Sequence, residues 1–188
     1  MAWRSTLMKY LESRFKSEVE GDFLEFGTLA GDLTIPLAKL AAKHERKVIT
    51  VDVCDVSVDD TVTSRGKNLS DYYAGFVGRH NQEKIIRKKL QRLDNVLFIK
   101  ENSVNLQVPL DQKLSVVVVD GGHQLAVFRH DARLGWSHLS VGGMMAIHDY
   151  KGDVPGLTEA IDQIVQEFNV SPENLVVLDD RWIVLEKK

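Results

Sequence analysis

Residues Asp22–Gly31 read DFLEFGTLAG, a short apolar run closed by Glu25 with Gly27 and Gly31 four residues apart and a helical pattern starting directly behind them. This layout fits a first strand running into a tight glycine turn, where bare backbone can meet a small charged metabolite and the glycines supply the φ values and missing Cβ that such an approach needs. The pattern is E-x-G-x-x-x-G, not the G-x-G-x-x-G that sets a helix amino terminus against a pyrophosphate. A carboxylate at Glu25 repels a pyrophosphate but suits a cationic or hydroxyl-bearing ligand. Asp52 ends the next apolar run, 25 residues beyond Gly27, close to the ~20-residue offset at which an acid accepts hydrogen bonds from ribose hydroxyls. Turn and acid together point to a nucleoside-bearing cofactor that is not a dinucleotide. Further on, Asn102–Ser103, Asp120-Gly121-Gly122-His123 and His148-Asp149-Tyr150 each follow a strand-like run. Ligands of open α/β sheets bind outside the carboxyl ends of the strands, so polar residues there are candidates for function. A lone histidine is more often structural, but His123 and His148 lie over one crevice beside Asp120 and Asp149.

The elements that must position these groups alternate. Trp3, Leu7, Leu11, Phe15 and Val19 recur every four residues, which predicts an amphipathic helix within residues 1–20, laid on the domain or on the partner subunit of a homodimer. Behind the glycine turn a helix over 32–44 is followed by a strand at 47–54. Strands at 95–102, 114–120 and 143–149, with helices near 83–93, 124–139 and 157–168, continue the rhythm. The expected fold is α/β, a Rossmann-like, doubly wound, mostly parallel sheet covered on both faces. Its end differs: NLVVLD and RWIVLEKK are separated only by Asp179–Asp180, which predicts an antiparallel carboxyl-terminal hairpin and brings the count to seven strands. Residues 55–82 show weak periodicity and exceed the ~2–6 residues usual for a connection in such units, so a lid or substrate loop over the site is expected there.

Bulk properties narrow the classes of function. At 188 residues, 44% hydrophobic and 27% charged, the chain suits a single domain spanning 1–188. A net charge of −3 offers no global attraction to nucleic acid or an anionic membrane, which favours a small-molecule partner. Arg79, Lys84, Arg87, Lys88, Lys89 and Arg92 gather positive charge near one helix, but no aromatics are interleaved with them, which argues against nucleic acid. A single cysteine, Cys54, forms neither an intrachain disulfide nor a cysteine zinc cluster and suits a reducing compartment. No apolar run has the length of a signal peptide core or of a membrane span, so the expected location is the cytoplasm.

Taken in order, EFGTLAG, VDV, ENS, VVVVDGGH, SVGGMMAIHDY and PGLTEAID resemble the class I S-adenosylmethionine-dependent methyltransferases, specifically the small single-domain group with D-G-x-H and H-D-Y elements, methyltransferase family 24. The resemblance covers almost the whole chain, including the final hairpin. It implies S-adenosyl-L-methionine as cofactor: Glu25, Gly27, Thr28 and Gly31 at its amino-acid part, Asp52 and Val53 at the ribose, Asn102 and Ser103 at the adenine, and Asp120 near the sulfonium. A cationic sulfonium also explains why acids surround the pocket. Methyl transfer is an in-line displacement in which the protein mainly aligns the acceptor and removes its proton, a task for His123 or His148. Some related O-methyltransferases hold a divalent cation with acids at the ends of the fourth and fifth strands, where this chain has Asp120 and Asp149; oxygen ligands suit Mg²⁺ or another divalent cation. His148 beside Asp149 departs from the fuller acidic set. The leading expectation is therefore O-methylation of a small hydroxylated metabolite. The competing readings are a nicotinamide-dependent oxidoreductase, which lacks its third glycine, and a non-catalytic nucleoside-binding protein.

Overall fold

The computed structural model describes residues 2–107 and 112–188, with side chains from Arg4 onward; the expectation for the Trp3 side chain lies outside these residues. The strands are β1 (Asp22–Phe26), β2 (Val48–Asp52), β3 (Val96–Lys100), β4 (Leu114–Val119), β5 (Leu139–Ile147), β6 (Leu175–Leu178) and β7 (Trp182–Glu186). They form one sheet in the order β3-β2-β1-β4-β5-β7-β6. β1 to β5 run parallel, and β7 alone runs the other way, between β5 and β6. The chain works outward from β1 to β3 and then returns to place β4 on the other side of β1, so the order reverses between β1 and β4. Such a reversal opens a crevice at the carboxyl ends of the two strands.

Helices α1 (Ala2–Arg14), α2 (Thr34–Ala42), α3 (Leu69–Val77), α4 (Gln82–Leu90), α5 (Leu125–His138) and α6 (Leu157–Glu167) cover the sheet. Successive strand residues point to opposite faces, and the two cores follow that period. Leu24, Phe26, Val117, Val119, Met145 and Ile147 pack with Phe128, Ala132, Ile161 and Ile164 of α5 and α6. Phe23, Val116, Val118, Met144 and Ala146 pack on the other side with Leu7, Met8 and Leu11 of α1 and Leu37, Leu40 and Ala41 of α2. β4 is buried along its whole length, which is why it reads as an unbroken apolar run.

Three boundaries differ from expectation. α1 stops at Arg14, and Val19 is buried from the turn that follows. β5 begins at Leu139, four residues early, because Gly142 (φ 80°) and Gly143 make an irregular stretch whose backbone still pairs with Lys187; the glycines conceal its first half. Within residues 55–82 lie a single 3₁₀ turn at Val56–Val58 and α3, whose Asn68 side chain caps the Asp71 amide at 3.1 Å. α3 buries Leu69 and Val77 but leaves Tyr72 and Phe76 exposed; its apolar residues Leu69, Tyr72, Tyr73, Phe76 and Val77 share one helical face, a short helix inside a stretch whose overall periodicity is weak.

Candidate active site

Register brings the strand exits to one rim. Phe26 pairs with Val119 and Val119 with Ile147; the Asp120 amide donates to the Phe26 carbonyl (3.0 Å) and the His148 amide to the Val119 carbonyl (3.0 Å). Gly27 (φ 92°) turns so close to β4 that a Cβ would lie 2.1 Å from the Asp120 carbonyl oxygen, which excludes any other residue there. The cavity above has a volume of about 520 Å³, within the range of small-molecule sites.

Along the exits of β1, β2, β3 and β4, Gly27, Thr28, Asp52, Val53, Asn102, Ser103 and Asp120 border the cavity. Asp52 Oδ2 accepts from the Leu29 amide (2.8 Å), and its Oδ1 accepts from the Cys54 amide (2.7 Å) and Gln82 Nε2 (2.9 Å), so this acid also ties the glycine turn to α4. Burial raises its pKa against those hydrogen bonds. Glu25 lies beneath the turn. It shares a face with Phe23, and its Oε2 accepts from Thr34 Oγ1 and Thr50 Oγ1, both at 2.6 Å, while Oε1 has no partner among the described residues. Burial pushes this carboxyl up to about 7. Thr28 continues the chain through the Thr50 hydroxyl at 2.6 Å. Gly31 closes the turn through its amide to the Thr28 carbonyl (2.7 Å).

On the other side of the cavity the two histidines occupy different settings. His148 Nδ1 is 2.9 Å from Asp120 Oδ1 and 3.2 Å from Asp149 Oδ2, and one donor atom from each of these three residues lies within 4.8 Å of the others. His123 bridges two carboxylates, with Nδ1 2.7 Å from Asp59 Oδ2 and Nε2 2.9 Å from Asp149 Oδ2. Asp59 also accepts from the His123 amide (3.3 Å), and the Tyr73 hydroxyl is 3.5 Å from Nε2. Burial disfavours both imidazolium forms, but the carboxylates outweigh it: Asp149 and Asp59 raise His123 to about 10, and Asp120 and Asp149 raise His148 to about 9. The reciprocal effect of the two histidines, against burial, holds Asp149 far below the usual carboxylate range. Tyr73 is pushed up by burial and then by the surrounding acids. Tyr150, the last residue of the H-D-Y element, points elsewhere and donates to Asp162 Oδ1 at 3.1 Å.

Sequence reasoning overlooked Asp59, Tyr73 and Asp131. Asp131 left a signal, since it falls on the apolar face of α5 with Phe128, Ala132 and Gly135, where a carboxylate is out of place. Asp59 left none, because it meets His123 only through the fold.

A family model described as a methyltransferase domain matches residues 24–150. The match takes in more than half of the chain, from the glycine turn to the exit of β5, and the chain belongs to this family, the class I S-adenosylmethionine-dependent methyltransferases. No curated protein matches it in sequence. Among solved structures, the O-methyltransferase NovP is similar over 97% of this chain and 80% of its own, with a TM-score of 0.77 and 20% identity. An rRNA methylase from Streptococcus thermophilus is similar over 96% and 93%, with a TM-score of 0.61 and 15% identity. The Podospora anserina methyltransferase PaMTH1, solved with S-adenosylhomocysteine bound, is similar over 98% and 77%, with a TM-score of 0.59 and 13% identity. At such identities the likeness is one of fold. Among the described residues no helix is long and apolar enough to cross a membrane.

Proposed function

We propose that the chain transfers a methyl group to an oxygen atom of a small hydroxylated metabolite, with His123 as the base. The observation that carries this reading is the linked set Asp59–His123–Asp149 at the cavity wall beside Asp120 and His148. Asp59 accepts from Nδ1 and so fixes the ring, with Nε2 turned toward Asp149 and the cavity; because the two carboxylates favour the imidazolium, the ring takes the acceptor hydroxyl's proton only from its deprotonated form, and turnover should rise with pH through the neutral range. Asp59 is a positioning residue here, and Tyr73, whose ring stacks at 20° to the imidazole, limits the ring's rotation.

The cofactor supplies a methyl group already attached to a good leaving group. The chain's part is to hold it: Gly27 and Thr28 approach its amino-acid end, with Glu25 and Gly31 supporting the turn, and Asp52 and Val53 meet the ribose. Asn102 and Ser103 border the adenine, while Asp120 and its neighbours place negative charge near the sulfonium. The donor set fits a divalent cation as well, with Asp120 and Asp149 as oxygen ligands and His148 as a nitrogen ligand; the imidazole suits a first-row transition ion at least as well as Mg²⁺. Bound there, such an ion would lower the pKa of a coordinated hydroxyl. The imidazolium of His148 between two carboxylates marks the place as one that favours positive charge.

Residues 55–82 enclose the acceptor side in this reading, since Val58, Asp59, Tyr72 and Phe76 all border the cavity. The test is transfer of labelled methyl from S-adenosylmethionine to a panel of phenols, sugars and hydroxy acids, with Mn²⁺ or Mg²⁺ and with chelator. Transfer to hydroxyl compounds that is lost in His123→Ala supports the proposal; transfer only to nitrogen or carbon acceptors overturns it.

A further inference from the structure

Methyl transfer as described leaves the positive charge at the cavity wall unused. Arg65, Lys67 and Arg181 border the cavity; a fourth cation, Arg4, pairs with Asp32 behind the glycine turn at 3.5 Å. Arg65 and Lys67 stand on a tight lip. The Thr63 amide donates to the Lys67 carbonyl (2.9 Å), the Gly66 amide to the Thr63 carbonyl (2.8 Å) and the Lys67 amide to Thr63 Oγ1 (3.2 Å). Ser64 fastens this lip to the loop between β5 and α6, donating to the Asp153 carbonyl from its amide (2.7 Å) and its hydroxyl (3.0 Å). The backbone is thus held in place, and only the side chains are left for a ligand to order.

The acids that border the cavity from the same two segments are engaged. Asp55 accepts from the Ser57 amide (3.0 Å), Asp59 and Asp149 hold His123, and Asp153 lies 3.9 Å from Arg65 Nε. That last pair is long, and the Arg65 side chain is 86% exposed, so it contributes little and leaves the guanidinium open to a ligand. Arg181 Nη1 is 3.5 Å from Asp149 Oδ1. Lys67 meets no carboxylate among the described residues; its Nζ lies 3.0 Å from the centroid of the Tyr72 ring. Lys67 therefore stands at one end of an aromatic wall whose other end is the proposed base. Tyr73 stacks on His123 with centroids 5.9 Å apart, Tyr72 meets Tyr73 at 5.3 Å, and Phe76 meets Tyr72 at 4.9 Å. Tyr72 is 37% and Phe76 52% exposed, although both border the cavity. Aromatic residues left open together at a cavity mouth mark a surface for an apolar ligand.

We infer that the acceptor is a hydroxylated aromatic acid, its ring laid along this wall, its hydroxyl at His123 and its carboxylate held by Lys67 with Arg65 beside it. The inference rests on the reading of oxygen methylation and names the substrate class. A neutral acceptor would leave the three ammonium donors of Lys67 facing only a ring, whereas a carboxylate takes up two of them in charge-assisted hydrogen bonds. The ring supplies the apolar area that Tyr72 and Phe76 lack in the free chain.

Calorimetry on the chain saturated with S-adenosylhomocysteine compares hydroxybenzoates and hydroxycinnamates with the corresponding amides, which keep the ring and hydroxyl and lose the charge; methyl transfer to the same pairs is measured alongside. The wild type should bind the acids at least about tenfold more tightly than the amides, and the difference should shrink as salt is raised. Lys67→Gln should bring the ratio to within about threefold of one, and Lys67→Glu should turn it in favour of the amides. A structural Lys67 would weaken acid and amide alike and leave the ratio unchanged, which overturns the inference. A wild-type ratio near one overturns it too, even if neither variant folds. Acids preferred in binding but never methylated would sustain the carboxylate site and remove oxygen transfer, whereas amides methylated with the same kcat/KM as acids would keep oxygen transfer and overturn the carboxylate site.

Discussion

Replacing Glu25 with glutamine removes a titration that the fold itself displaces. The side chain is fully buried, two threonine hydroxyls donate to Oε2, and burial raises its pKa from an ordinary 4.5 to about 7. The folded chain therefore binds this proton more tightly than the unfolded chain. Its contribution to stability is complete below pH 4.5, is lost as pH rises toward 7, and is absent above that. At 1.36 kcal/mol per pH unit the gap amounts to roughly 3 kcal/mol, of which about 2.5 kcal/mol falls between pH 5 and pH 8. Glutamine keeps an acceptor for Thr34 and Thr50 and is neutral throughout, so its own cost, an amide nitrogen placed where Oε1 now lacks a donor, does not vary with pH. Urea unfolding followed by circular dichroism at pH 5, 6, 7 and 8 should show Glu25→Gln gaining on the wild type by roughly 2 to 3 kcal/mol across the range, as other groups titrate alike in both proteins. A difference that stays constant with pH would refute the reasoning, because it would mean that Glu25 is held ionised beneath the turn.

Asp52→Ala should weaken S-adenosylhomocysteine binding by about tenfold or more in calorimetry, from the loss of a buried, charge-assisted hydrogen bond; unchanged affinity would sink the ribose assignment. His123→Ala should lower kcat by roughly 10²-fold or more while cofactor affinity stays within about threefold, the signature of a lost proton acceptor. Asp59→Asn should lower kcat in the same direction with acceptor KM little changed, and Asp59→Glu should recover part of it; parallel changes in kcat and KM would point to a collapsed loop instead. Chelation should abolish turnover and added Mn²⁺ or Mg²⁺ restore it, with restoration weakened in Asp149→Asn; turnover that survives exhaustive chelation would dismiss the cation.

The strand exits were legible because each polar cluster follows directly on an apolar run, and parallel pairing then has little choice but to gather Gly27, Asp52, Asp120 and His148 on one rim. The reversed β7 was legible from the two-residue Asp179–Asp180 break. What escaped depends on contacts between distant segments or on mixed patterns. Glu25 reads as a group facing the ligand, but strand alternation sets it with Phe23 on the α2 side, where Thr34 meets it. α3 was hidden by its brevity, since Leu69–Val77 keeps helical spacing but sits inside a long stretch of polar turns. Asp59 gains meaning only when folding sets it 2.7 Å from a histidine 64 positions later.

The central claim is that these strand exits form a site for a positively charged sulfonium nucleoside, and ligand-induced stabilisation tests it most directly. Melting the purified chain with S-adenosylmethionine, and separately with S-adenosylhomocysteine, at about 100 times Kd should stabilise it by about 2.7 kcal/mol. For a chain of this size that is a rise in Tm of roughly 5 to 10 °C, and Asp52→Ala should need a correspondingly higher ligand concentration for the same rise. An unmoved Tm with both compounds, up to millimolar concentration, would contradict the account.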